Sequence, residues 1–243
     1  MLKHYHAIEL KAEFEAEGSR LAEVQWLSKF ASQVGLGLTI KIGGCEAVSD
    51  LREAVIMGAT TIVAPMIETP YALSKYQAMV ARCVTDNDRE RIKFFWNLET
   101  ATAFENLPTM IKQTTLDGFV IGRVDLCGSL ELGRKSVDCN HVLDLTTKAS
   151  ELAKAHNLLV VVGGGVTVQS KKFFEQLPKL DRFETRKVVF KCPEALAHNA
   201  DLYDAATEFE LIWLNFKRSL YTRWANEDNA RIGMLEKRLA ASN

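Results

Sequence analysis

Seven short apolar runs, separated by helix-length amphipathic stretches, set the tightest limit on what this chain can fold into. They cover residues 7–14, 36–42, 60–66, 92–98, 119–124, 158–162 and 187–190. Most are rich in Val, Ile and Phe, as strands buried on both faces are. The stretches between them, such as residues 20–34 and 141–156, carry apolar residues at helical spacing. Alternation of this kind means an α/β fold with a parallel sheet. The chain has 243 residues, close to the roughly 250 of a (β/α)8 barrel. The expected fold class is therefore a TIM-type barrel. Only seven runs are found, so the first strand is expected to be lacking or modified, its place falling before His4.

From residue 204 the pattern changes. Phe209, Trp213, Phe216, Leu220 and Trp224 recur every three or four residues, and Ile232, Leu235 and Leu239 continue the stripe. This reads as one long helix or two. The expected division is a barrel over residues 1–203 and a helical segment over 204–243. That segment would pack on its own barrel or on a neighbouring subunit, and a homo-oligomer is expected. The net charge of −1 exerts no global pull on nucleic acid or anionic membrane, so neither is an expected partner. No apolar run nears the roughly 20 residues of a membrane span. The first six residues lack the apolar core of a signal peptide. The five cysteines include no CxxC pair, which argues against a disulfide framework and a structural zinc site. A cytoplasmic location is expected by default.

Side chains on a strand alternate between faces. In the first run Glu9, Lys11, Glu13 and Glu15 oppose Ile8, Leu10, Ala12 and Phe14. If the apolar face meets the helices, the charged face lines the barrel. The alternative is a half-exposed edge strand with a solvated charged face. Lys41, Asn97, Glu99, Arg123, Asp125 and Lys191 also fall at or near the ends of runs. Active sites of barrels lie at the C-terminal ends of the strands. Buried charges there are paired, metal-bound or functional. Two carboxylates at neighbouring strand ends, Glu99 and Asp125, make a hard-oxygen site suited to Mg²⁺ or Mn²⁺.

Three segments in order carry a resemblance. They are Val63-Ala64-Pro65-Met66-Ile67-Glu68-Thr69, then Asn97-Leu98-Glu99-Thr100 with Ala103 and Asn106-Leu107. The third is Asp117-Gly118-Phe119-Val120-Ile121-Gly122-Arg123-Val124-Asp125-Leu126 with Gly133. Together they resemble the HpcH/HpaI aldolase and citrate lyase β-subunit family, over about residues 38–165. The resemblance implies a barrel enzyme in which Glu99 and Asp125 hold Mg²⁺ or Mn²⁺. It implies a 2-oxo acid of the pyruvate or oxaloacetate type, cleaved or joined through a metal-stabilised enolate. Two departures matter. Lys41 stands where the family commonly has arginine, without the bidentate fork. The segment Glu13-Phe14-Glu15 stands where the family's aldolases carry a histidine, so a glutamate such as Glu13, or water, would move protons. Arg123 stands in place of a proline and would restore the guanidinium.

Further candidates complete the reading. Lys11, Asn97, Glu68 and Lys191 would line the substrate site. Glu68 would alternatively cap the helix beginning at Pro70. Gly163, Gly164 and Gly165 would cradle a phosphate or second carboxylate, or simply form a tight turn. Lys41 as a Schiff-base lysine, and His4 with His6 as a metal pair, are weaker readings. Two other functions stay open: a barrel acting on a phosphorylated sugar or phosphoenolpyruvate at the glycine loop, and a catalytically decayed scaffold.

Overall fold

Period-two alternation decides which face of each run meets the helices, and the computed structural model shows the result for residues 2–177 and 179–241. Eight strands close into a barrel in chain order. They are β1 (Ala7–Glu13), β2 (Gly37–Lys41), β3 (Thr61–Ala64), β4 (Lys93–Leu98), β5 (Gly118–Gly122), β6 (Leu159–Gly163), β7 (Arg182–Glu184) and β8 (Val188–Lys191). The helices are α1 (Leu21–Gln33), α2 (Val48–Ile56), α3 (Pro70–Cys83), α4 (Asp86–Arg91) and α5 (Ala101–Gln113). They continue with α6 (Arg123–Ser129), α7 (Asn140–Ala155), α8 (Lys171–Glu175) and α9 (Ala200–Ala240). Leu10, Leu38, Ile40, Ile62, Phe94, Trp96, Phe119, Ile121, Val160 and Val162 are buried on the outward face of the barrel. Fully burying one such side chain contributes about 1.5–3 kcal/mol.

The inward face is divided. Val63, Phe95, Val120 and Val161, from β3 to β6, form an apolar cluster. Strands β1, β2 and β7 send in charge instead. Glu9 accepts hydrogen bonds from Thr39 (2.5 Å), Thr61 (2.8 Å) and Arg182 (3.2 Å). Arg182 also lies over the Phe95 ring, 5.8 Å from its centroid, where the two halves meet. Glu9, Lys11 and Glu13 are all buried, so the edge-strand alternative for the first run is excluded.

The strand that periodicity missed is β7, not one before His4. Three residues are too few to show a period. Residues Leu2–Tyr5 form a single 3-10 turn. Strands β1 to β7 pair in parallel, but β8 returns through a tight turn in which Thr185 donates to the Val188 carbonyl at 2.9 Å. β8 then runs antiparallel to both β7 and β1, filling the slot between them. The expected first strand is thus replaced by the last, with reversed direction.

The chain divides into two units at Ala206/Thr207. The second is the outer part of α9, which is one helix rather than two. Among the described residues no helix is long and apolar enough to cross a membrane.

Candidate active site

The site begins with helix caps. Thr100 precedes α5, and its Oγ1 accepts the Ala103 N–H at 3.2 Å. Thr69 does the same for Ala72 at the start of α3, with Pro70 at the first helical position. These caps fix where β4 and β3 stop. Glu99 is therefore held between the end of β4 and its cap, at the barrel mouth. The cap of α3 is Thr69, which removes the capping role considered for Glu68.

Glu99 is 2% exposed. Its Oε2 accepts from Asn97 Nδ2 at 2.7 Å and its Oε1 from the Met66 N–H at 3.2 Å. Met66 has φ of +49°, a backbone state that non-glycine residues hold only when neighbours enforce it. Gly122 supports the same carboxylate from the other side. A Cβ there would lie 2.5 Å from Glu99 Oε2. Burial pushes the Glu99 carboxyl above its usual value. Lys41 and the two hydrogen bonds oppose that rise, and the negative charge of Asp125 adds to it.

Asp125 lies in the first turn of α6, just past β5, rather than on the strand. Together the two carboxylates retain open lone pairs. Among the described residues no group of three or more His, Cys, Asp or Glu converges as a metal cage. A pair of carboxylates still fits Mg²⁺ or Mn²⁺, which keep waters and take further oxygens from substrate. The repulsion between Glu99 and Asp125 is what such a cation would relieve.

Lys41 Nζ lies 2.8 Å from Glu15 and 3.9 Å from Glu99. It is a paired ammonium, which disfavours the Schiff-base reading. Lys11 pairs with Glu184 and, at 3.0 Å, with Glu13. Burial disfavours both charges, yet the pairing raises the Lys11 pKa and lowers that of Glu13. Glu13 is thereby a weak proton acceptor. Lys187 and Arg186 both pair with Glu17 at the same end of the barrel.

Arg123 is not open to a substrate. It is 0% exposed. Its Nε donates to the Gly163 carbonyl at 3.0 Å, Nη2 to the Gly164 carbonyl at 3.0 Å, and Nη1 to Asp138. Its guanidinium sits 4.8 Å and 5.0 Å from the ring centroids of Phe173 and Phe174. The catalytic assignment of Arg123 is corrected to a structural one. The glycine loop that holds Arg123 is a tight turn. Gly164 and Gly165 have φ of +80° and +67°, and a Cβ on Gly164 would meet the Arg123 backbone nitrogen at 2.7 Å. These glycines form a turn packed on α6, with two carbonyls held by arginine.

Lys191 lies at the other end of the barrel. Because β8 is reversed, Lys191 pairs in register with Arg182 at the start of β7, and its amide donates to the His6 carbonyl at 3.0 Å. Its side chain is bound to Glu194 at 2.6 Å. His4 and His6 lie at that end too, their rings 5.3 Å and 5.6 Å from His198.

The family model for HpcH/HpaI aldolase/citrate lyase matches residues 39–169. The chain belongs to the HpcH/HpaI aldolase/citrate lyase family. That places it among lyase-type barrel enzymes. An HpcH/HpaI aldolase/citrate lyase family protein from Burkholderia cenocepacia J2315 has a similar structure, with TM-score 0.63 and 15% identity over 89% of each chain. An HpcH/HpaI aldolase from Desulfitobacterium hafniense DCB-2 gives TM-score 0.62 at 12% identity, covering 76% of this chain and 80% of that one. Macrophomate synthase gives 0.56 at 14% identity, covering 72% and 69%. At such identities these likenesses show the fold alone. No curated protein matches the sequence significantly.

The sequence did not single out Glu184, Lys187 or Met66, and it offered Glu15 only within the charged face of the first run and the Glu13-Phe14-Glu15 segment. The pairing of Glu184 with Lys11 depends on β7, which carried no periodic signal. Met66 did carry one, since it follows a strand within a family motif, but its positive φ is not written in its residue type.

Proposed function

We propose that this HpcH/HpaI family member is a divalent-metal-dependent carbon–carbon lyase acting on a 2-oxo acid of the pyruvate or oxaloacetate type. The observation that carries the reading is the convergence of Glu99 and Asp125 at the mouth, with Glu99 oriented by Asn97, the Met66 amide and Gly122. Glu99 and Asp125 would hold Mg²⁺ or Mn²⁺. When bound, the metal supplies Lewis-acid polarisation of the 2-oxo group. Asn97 and the Met66 N–H fix the Glu99 carboxylate so that it need not reorganise. The Lys41–Glu15 pair is the proton-carrying pair beside Glu99 and takes the role given to a histidine elsewhere in the family. The Glu15 side chain is more exposed than that of Glu13, at 28% against 11%, while its Oε2 is buried against Lys41.

Calorimetric titration with Mn²⁺ tests the reading, with oxaloacetate decarboxylation and retro-aldol assays run with and without EDTA. Binding to the native chain, lost in Glu99→Gln and Asp125→Asn, is the expected result. Absence of Mn²⁺ binding, or activity unchanged by EDTA and by both substitutions, overturns it. Homo-oligomer formation belongs to the same reading. Leu211, Ile212, Leu214, Ile232, Leu235 and Leu239 of α9 are exposed in the single chain, and apolar surface of that kind marks an interaction site. Light scattering that finds only monomer would remove this part.

A further inference from the structure

The cations that the strands and α6 bring to the mouth are already paired. Lys41 is taken by Glu15 and Glu99, Lys11 by Glu13 and Glu184, and Arg123 by Asp138 and two carbonyls. Arg134 opens the short turn Arg134–Ser136 after α6. It is exposed and forms no ion pair among the described residues. It lines a cleft of about 630 Å³ together with Asp125, Met66, Thr100, Ser129 and Leu132. Two hydroxyls on that wall are half used. Thr100 Oγ1 accepts the Ala103 N–H at 3.2 Å and Ser129 Oγ accepts the Ala101 N–H at 2.9 Å, which leaves each O–H free to donate.

The cleft thus carries two kinds of charge on its wall, the carboxylate of Asp125, which lies near Glu99, and the guanidinium of Arg134, with the hydroxyls of Thr100 and Ser129 also lining it. A ligand that meets both offers metal-binding oxygens to the first and negative charge to the second. Guanidinium forks pair with carboxylates through two parallel hydrogen bonds.

We propose that Arg134 is the specificity-determining residue of this cleft, pairing with the distal carboxylate of a dicarboxylic 2-oxo acid whose 2-oxo end lies at Glu99 and Asp125. The inference rests on the reading of the site given above and deepens it. A monocarboxylate such as pyruvate leaves Arg134 unpaired, whereas a dicarboxylate engages Arg134 as well.

The test is calorimetric binding of pyruvate and 2-oxoglutarate, two stable 2-oxo acids differing in the distal carboxylate, to the full chain with and without Mn²⁺. The native protein is expected to prefer 2-oxoglutarate. Arg134→Gln should lower the ratio of the two affinities about tenfold or more, the scale of a lost charge-assisted pair. Arg134→Lys should recover part of that ratio. Lys135→Gln, one residue on, should keep the native ratio. Thermal melting checks that the variants are folded, as expected for changes on an exposed turn. A native protein with no dicarboxylate preference overturns the inference, as does an unchanged ratio in Arg134→Gln. Absence of Mn²⁺ binding removes the metal reading alone if the ratio still falls in Arg134→Gln without metal. If the ratio holds as well, both readings fail together.

Discussion

Replacing Arg123 separates a structural arginine from a substrate-binding one. In Arg123→Leu the carbonyls of Gly163 and Gly164 lose charged donors at 3.0 Å. Each loss costs about 1.5 kcal/mol in a buried setting. The contacts with Phe173 and Phe174 contribute about 1 kcal/mol more. Asp138 is 28% exposed at its side chain, so water resolvates it and its share is small. The expected loss is about 4 kcal/mol, within the range for breaking a buried ion pair. For a chain of this size that lowers Tm by about 8–16 °C. Arg123→Lys keeps the charge but loses the fork, and should cost about 2 kcal/mol. Urea unfolding followed by tryptophan fluorescence measures both. If both variants stay within about 0.5 kcal/mol of the native protein while enzymatic activity is lost, Arg123 acts on substrate and the argument is wrong.

Gly122→Ala should displace Glu99, since the new Cβ would stand 2.5 Å from its Oε2. Mn²⁺ affinity in calorimetry should fall about 10–100-fold, as when a ligand's support is lost, and unchanged affinity would show that the carboxylate is not held there. Lys191→Ala should leave Mn²⁺ binding and turnover at native levels, because the residue lies at the end opposite the mouth with Glu194; a clear loss of either would contradict the reversed β8. Glu99 has its carboxyl pKa raised from 4.5, so between that value and the raised one the folded chain holds more protons than the unfolded chain and stability falls as pH rises. Without metal, Glu99→Gln should therefore melt higher than the native protein at about pH 7 and equal to it well below pH 4, and a variant that melts lower at neutral pH would refute the sign.

Much of the barrel is written in its apolar runs. Six of them became β1 to β6 because each is long enough to show a period of two, and the seventh became β8. Strand β7 escaped because Arg182, Phe183 and Glu184 read locally as a charged turn. Their burial depends on Glu9 and Lys11, about 170 residues earlier in the chain. The direction of β8 was equally hidden. Nothing in Val188-Val189-Phe190 says which way the strand runs, and only the tight turn at Thr185 settles it. Glu99 and Asp125 stood out because apolar-run ends and family motifs pointed to the same residues, and the structure puts Glu99 just past β4 and Asp125 in the first turn of α6. Arg123 misled because an arginine next to such a motif has the same spelling whether its guanidinium faces a cleft or three backbone and carboxylate acceptors.

The reversal of β8 has a consequence for where positive charge is found. Had β8 run parallel, Lys191 would have stood at the mouth between β7 and β1. In its actual direction it brings Lys187 to the mouth, where Glu17 neutralises it, and carries Lys191 to the far end. The ammonium groups of β1 and β2 are absorbed in the same way by Glu13, Glu15, Glu99 and Glu184. Such buried pairs need their partners, because removing one leaves the other charged and desolvated. The strands therefore have no cation to spare for an anionic substrate. Charge that recognises a carboxylate has to come from a bound metal or from a loop, and the loop after α6 places Arg134 on the wall of the cleft that contains Asp125. In this chain the barrel strands pair their own cations while the loop after α6 supplies an exposed guanidinium on the cleft wall, a division that lets one barrel scaffold serve many reactions.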